Sequence, residues 1–167
     1  MDISLLIVRL VIGLFVAGHG AQKLFGWFGG QGLKGTAAWL GSMGLRPPVI
    51  WAFLAGLAEF GGGALFALGL ASPLGALGIS AAMLVAITGV HWPKVWAAKG
   101  GFEHPLINLA VAAAVGIAGP GEVSLDRQFG TALPDSAARI AAVFVVLGWL
   151  AVLAMKAVRP AGNNPSH

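Results

Sequence analysis

The chain has no cysteine and no tyrosine. The first absence excludes disulfides, thiolate catalysis, CxxC redox chemistry and thiolate-held iron–sulfur clusters within the chain. The second removes any tyrosyl proton donor. Redox chemistry here must use a bound cofactor or a partner protein. Charge is the third scarcity: 10% of the 167 residues are charged, against about 25% in a soluble domain. Ten Lys/Arg and six Asp/Glu cannot coat a folded water-soluble domain of this size. Disorder is excluded as well, because disordered chains are poor in apolar residues and this one is 57% hydrophobic, with a mean hydropathy of +0.86. What is left is a small integral membrane protein whose solvent is the lipid bilayer. The net charge of +4 comes from basic residues set singly. They form no patch for nucleic acid and read as loop charges that set topology.

A membrane span needs about 20 mostly apolar residues. Five stretches qualify or nearly do: Ile3–Phe25, Val49–Leu70, Leu74–His91, Pro105–Ala118 and Ala137–Ala157. The uncharged run from Phe60 to Pro93 would make a single helix of roughly 51 Å, too long for one crossing. It must break at Ala71-Ser72-Pro73, with serine expected to cap the next helix. The opening segment lacks a basic flank and an A-x-A site, so it reads as the first span and not as a signal peptide. Between spans 1 and 2, the glycine-rich, aromatic stretch suggests a short interfacial helix near Leu33–Gly41, with Trp27, Phe28 and Trp39 at headgroup depth. Residues 1–158 then form one transmembrane helical domain and 159–167 a polar, disordered tail. Lys23, Lys34, Arg46, Lys94, Lys99, Lys156 and Arg159 fall on one side, Arg127 and Arg139 on the other. The excess places the first side in the cytoplasm.

Only Arg9 and Glu59 lie within apolar stretches away from their ends. Each costs about 2.5–3.5 kcal/mol or more at mid-bilayer. Counted from the shared loop they have matching depth, which predicts an Arg9–Glu59 ion pair. Such a pair either fixes helix register or supplies a buried carboxylate that handles protons. Small residues surround Glu59, from Ala55 to Gly63, and admit either a neighbouring helix or a flat ligand. His19, Gln22 and Lys23 close span 1. His91 and Lys94 end span 3, Lys99 and Glu103 follow, and His104 and Asn108 open span 4. Alternating crossings bring all of these to one membrane face. The set suits a quinone-like or anionic ligand, with Glu59 and His19 exchanging protons. A haem or metal on the histidines is the alternative, but no HExxH or Cys/His spacing occurs. Span-end His and Lys snorkelling to the interface is the plain structural reading.

Four stretches together resemble the DoxX family of small bacterial membrane proteins. They are Gly18-His19-Gly20-x-Gln22-Lys23-Leu24-Phe25-Gly26 with Gly29-Gly30; the Glu59-bearing span; Gly100-Gly101-Phe102-Glu103-His104-Pro105-Leu106; and Gly119-Pro120-Gly121-x-x-Ser124-Leu125-Asp126. The resemblance implies a four-helix membrane bundle and a place as an oxidoreductase subunit in a bacterial inner membrane. It implies His19, Gln22, Lys23, Glu59 and Glu103 as family polar positions. Ala137–Ala157 departs from the pattern as a fifth span. The leading expectation is a membrane subunit of a redox or detoxification system, binding its substrate over Glu59 and Arg9. Its electrons would pass through bound quinone or a redox partner protein. The rival is a non-enzymatic scaffold or assembly factor, with glycine-rich helix faces binding other subunits or a second copy. A small-anion transporter is the third reading, disfavoured by the lack of inverted repeats.

Overall fold

A computed structural model of the chain describes residues 2–158, all of whose regular structure is helical. The helices are α1 (Asp2–Phe25), α2 (Gly32–Ser42), α3 (Pro48–Leu68), α4 (Leu74–Val85), α5 (Glu103–Ala118), α6 (Leu125–Phe129) and α7 (Asp135–Ala157). A π-helical turn, Ala86–His91, prolongs α4. Among the described residues four helices are long and apolar enough to cross a membrane: Ile3–Phe25, Pro48–Leu68, Leu74–His91 and Asp135–Ala157. The expected span at Pro105–Ala118 is the 16-residue α5. At about 1.5 Å per residue it reaches roughly 24 Å, less than a hydrocarbon core of about 30 Å.

Glycine sets how these helices meet. On α1, Gly13 lies against Gly63 and Ala67 of α3, and Gly20 lies against Phe60. A Cβ at either position would overlap backbone of the facing helix. The opposite side of α3 repeats the device against α4, where Gly62 meets Gly78 and Gly75 meets Phe66. Close backbone approach through small residues is how helices gain contact where lipid is as apolar as leucine. The glycine-rich faces of α1, α3 and α4 are therefore used inside the chain. Around these contacts, Val16, Phe66, Ile79, Met83, Ala112 and Val115 form one core shared by α1, α3, α4 and α5. This is a four-helix bundle. A second core joins Ala37 and Leu40 of α2, Ala52 of α3 and Val152 of α7. It holds α2 across the end of the bundle and attaches α7 to its side.

The turn at residues 69–73 ends α3 slightly earlier than the hydropathy suggests. Gly69 adopts φ +61 as the C-cap, and a Cβ there would collide with the Arg9 guanidinium. Ser72 does not cap α4: Pro73 holds the N-cap position, and the Ser72 N–H goes to Asp126. In the connection after α5, Ser124 does cap α6, accepting a bond from Arg127 N–H at 3.3 Å. The polar tail expected at 159–167 lies outside the described residues.

Candidate functional site

At the α2 end of the bundle, Lys23 of α1 donates to Glu59 Oε1 of α3. Both lie where α1 and α3 are held closest by Gly20 and Gly56. The Glu59 side chain is 5% exposed and that of Lys23 29%. Glu59 Oε2 is buried and has no hydrogen-bond partner among the described residues. Thr36, buried on α2, donates to the Lys23 carbonyl at 3.3 Å and fixes the end of α1.

Beside this ion pair lies a cavity of about 630 Å³. Its wall takes Lys23 from α1, Thr36, Trp39 and Leu40 from α2, and Trp51, Ala55, Ala58 and Glu59 from α3. Gly78, Ala82 and Val85 of α4 continue it to Val90 and His91 of the π turn. Phe144, Val145, Gly148 and Trp149 of α7 complete it. The surface is almost wholly apolar, with one ion pair and one imidazole as its titratable groups. The π turn, a distortion frequent at functional sites, borders the cavity through Ala86, Val90 and His91. It is pinned from α7, where Trp149 Nε1 donates to Thr88 Oγ1 at 3.1 Å and Lys156 donates to the Gly89 carbonyl. His91 Nδ1 lies 2.8 Å from the Gly100 carbonyl. A carbonyl only accepts, so Nδ1 carries the proton, and in the neutral ring Nε2 is an acceptor.

The expected Arg9–Glu59 pair does not form. Arg9 instead donates to the carbonyls of Pro120, at 2.7 Å, and Val123, in the loop between α5 and α6. The counting from a shared loop was misled because α3 begins well beyond the end of α1 and packs there on α2. With Gly20 facing Phe60, Glu59 stands about twelve residues along α1 from Arg9, roughly 18 Å. Arg9 belongs to a separate polar pole. There Asp126, the end of the Gly119–Asp126 stretch, is buried and clamps the α3–α4 turn. Its Oδ1 accepts from Ala71 N–H at 2.7 Å and Thr131 Oγ1 at 2.8 Å, and its Oδ2 from Ser72 N–H at 2.7 Å. Burial pushes the Asp126 pKa up, but the hydrogen bonds from Ser72, Thr131 and Ala71 outweigh it, and the carboxyl ionises below its ordinary range.

Of the residues expected to converge, the cavity gathers Lys23, Glu59 and His91. His19, though four residues from Lys23, is exposed and pairs with Gln22 at 3.1 Å. Gln22 donates to the Phe28 carbonyl at 3.2 Å, so the two brace the turn after α1. Glu103 Oε2 accepts from Ala97 N–H at 2.9 Å and orders the loop before α5, where Trp92 stacks on Phe102 at 5.8 Å. Asn108 reaches Met83 Sδ at 3.9 Å, joining α5 to α4. Lys94, Lys99 and His104 are exposed and outside the cavity wall. Among the described residues no three His, Cys, Asp or Glu side chains are grouped to hold a metal ion. Trp39, expected at headgroup depth, lines the cavity, and Trp51, Trp149 and the α7 wall carry no signal in the sequence that marks them as lining. Trp149 lies within a long apolar run, and only the packing shows which face of it turns inward.

The DoxX family model matches residues 4–92, from α1 through the π turn. That range contains Lys23, Glu59 and His91 but not α7. No curated protein and no solved structure matches the chain.

Proposed function

The chain belongs to the DoxX family, and from that premise we propose that it is an inner-membrane subunit of a redox or detoxification system. In this reading it binds a quinone-like or small anionic substrate in the cavity beside Lys23 and Glu59. The observation that supports it is a buried ion pair on the wall of a large apolar cavity. Ionisable groups inside a membrane protein are costly and mark functional sites more often than chance placement would. A cavity of this volume falls in the range of ligand sites, roughly 300–1,000 Å³.

The roles divide by position. Glu59 exchanges protons, Lys23 holds its carboxylate in place, and His91 is the third titratable group on the wall. His19 and Gln22 serve the turn that closes the α2 end. Arg9 anchors the opposite end and does not form the floor of the site. Lys94, Lys99, Glu103, His104 and Asn108 organise or flank the loop from α4 to α5, where a partner protein that supplies or removes electrons would dock. The cytoplasm would face the end bearing Lys23, Lys34, Arg46, Lys94, Lys99 and Lys156, by the excess of basic residues there. The scaffold alternative loses its main surface, since the glycine faces of α1, α3 and α4 are already packed.

Native mass spectrometry of the purified protein tests the reading. Gly148 lines the cavity and a Cβ there meets nothing within 4 Å, so Gly148→Phe grows an aromatic ring from an unobstructed Cβ at the cavity wall. The expected result is a retained small molecule on the wild type that Gly148→Phe lacks. A protein that retains nothing, and whose quinone-linked activity is unchanged in Gly148→Phe and Glu59→Gln, sinks the proposal.

A further inference from the structure

Glu59, a wall residue of the cavity, carries one polar atom that has no partner among the described residues. Glu59 is 4% exposed, its Oε1 is taken by Lys23, and its Oε2 is buried without a partner. A buried acceptor left unpaired is costly, and native structures pair such groups with protein, water or ligand. Lys23 has three N–H donors and spends one on Oε1. The pair is therefore neutral as a whole. A ligand that opens the packing over Oε2 finds one strong acceptor on Glu59 and spare donors on Lys23, on a wall shared with Trp39, Trp51, Ala82 and Trp149.

Three classes of ligand meet this arrangement differently. An anion finds the lysine already neutralised and the carboxylate oxygen in its way. A quinone has only carbonyl acceptors, and it can take protons from Lys23 but leaves Oε2 unpaired. A hydroxyl does both: it donates to Oε2 and accepts from the Lys23 ammonium. We propose that the site selects an uncharged amphiphile ending in a hydroxyl or N–H donor, a phenol or hydroquinone and not an anion or an oxidised quinone. The donor goes to Glu59 Oε2 and the apolar body to the tryptophan-lined wall. This deepens the functional reading above and rests on the cavity being the ligand site.

Three probes of one shape separate the possibilities: a decylphenol, its O-methyl ether and the matching decylbenzenesulfonate. Each is titrated into the purified protein in detergent, and quenching of tryptophan fluorescence is followed, with Gly148→Phe as the control for micelle partitioning. Loss of a hydrogen bond to a charged acceptor costs enough for at least about a tenfold change in affinity. The expected order is phenol tighter than ether by tenfold or more, with the sulfonate weaker than the phenol. Glu59→Gln narrows the phenol–ether gap to under about threefold. If ether and phenol bind alike in the wild type, or the sulfonate binds tightest, the donor requirement is wrong while the cavity stands as a ligand site. If no probe produces quenching that Gly148→Phe removes, the cavity reading itself falls and this inference with it.

Discussion

Removing the lysine alone and removing the whole ion pair should have opposite consequences. In Lys23→Met the Glu59 carboxylate stays buried, 5% exposed on its side chain, with its one partner gone. Stripping one member from a buried pair costs about 3–5 kcal/mol. The Lys23 side chain is 29% exposed, so water or headgroups reach the site and the lower end, about 3 kcal/mol, applies. For a chain of this length each kcal/mol shifts the unfolding midpoint by roughly 2–4 °C, giving a fall of roughly 6–12 °C. Replacing both charges, in Lys23→Met/Glu59→Leu, leaves no buried charge and fills the place with apolar atoms. Such replacements are often neutral or better, so the double variant should unfold within about 1 kcal/mol of the wild type, with a coupling of about 2 kcal/mol or more. Thermal unfolding in detergent, followed by the fluorescence of the six tryptophans, measures all four corners of the cycle. The double variant should also be folded yet indifferent to a ligand's hydroxyl, which separates the structural part of the pair from its binding part. The reasoning is refuted if Lys23→Met unfolds like the wild type, or if the two substitutions simply add.

Gly20→Val would force α1 off the Phe60 backbone. Overpacking costs about 1–3 kcal/mol or more, so the variant should lose its compact elution peak on size exclusion well below the wild-type midpoint, whereas Gly18→Val, with nothing within 4 Å, should not. Arg9→Met leaves the Pro120 and Val123 carbonyls without their donor and should destabilise by about 2–4 kcal/mol while leaving probe affinity at the cavity unchanged; a changed affinity would show that the two poles are coupled. Asp126 has a folded-state pKa below the ordinary 3.8. Its clamp therefore stabilises fully above that value and is lost as the pH falls through the folded pKa. Wild-type stability should drop on acidification below about pH 3.8 by more than that of Asp126→Asn, and parallel pH profiles for the two would refute the clamp.

The all-helical membrane fold and the break near Ser72 were readable because hydropathy and helix rise depend on composition and length alone. The α2 helix was readable too, since the glycines flanking its apolar stretch mark its ends. The depth of Glu59 was not readable. It depends on which small residues of α1 and α3 meet, and a run of glycine and alanine on each helix permits several registers. Once Gly20 sits on Phe60 and Gly13 on Gly63, Glu59 is committed to Lys23 and Arg9 to the far loop. Asp126 was hidden for a related reason. A carboxylate in the first turn of a short helix looks solvated until the turn at Ala71 and Ser72 folds onto it.

That register explains why two buried charges of similar cost have different meanings. Arg9 spends its guanidinium on two carbonyls of a loop, and the clamp at Asp126 beside it closes the same end of the bundle. Among the described residues the buried side-chain atom left unpaired there is Arg9 Nε, and Arg9 walls both a void of about 10 Å³ and an open groove of about 520 Å³ rimmed by Glu122, Arg127 and Gln128. Glu59 is placed differently: its unpaired Oε2 belongs to a residue that walls a cavity more than large enough for an aromatic ring and an alkyl chain. Glu59 stands on an almost wholly apolar wall and Arg9 beside a groove rimmed by exposed polar side chains, and that contrast in surroundings is the physical argument for placing the ligand at Glu59.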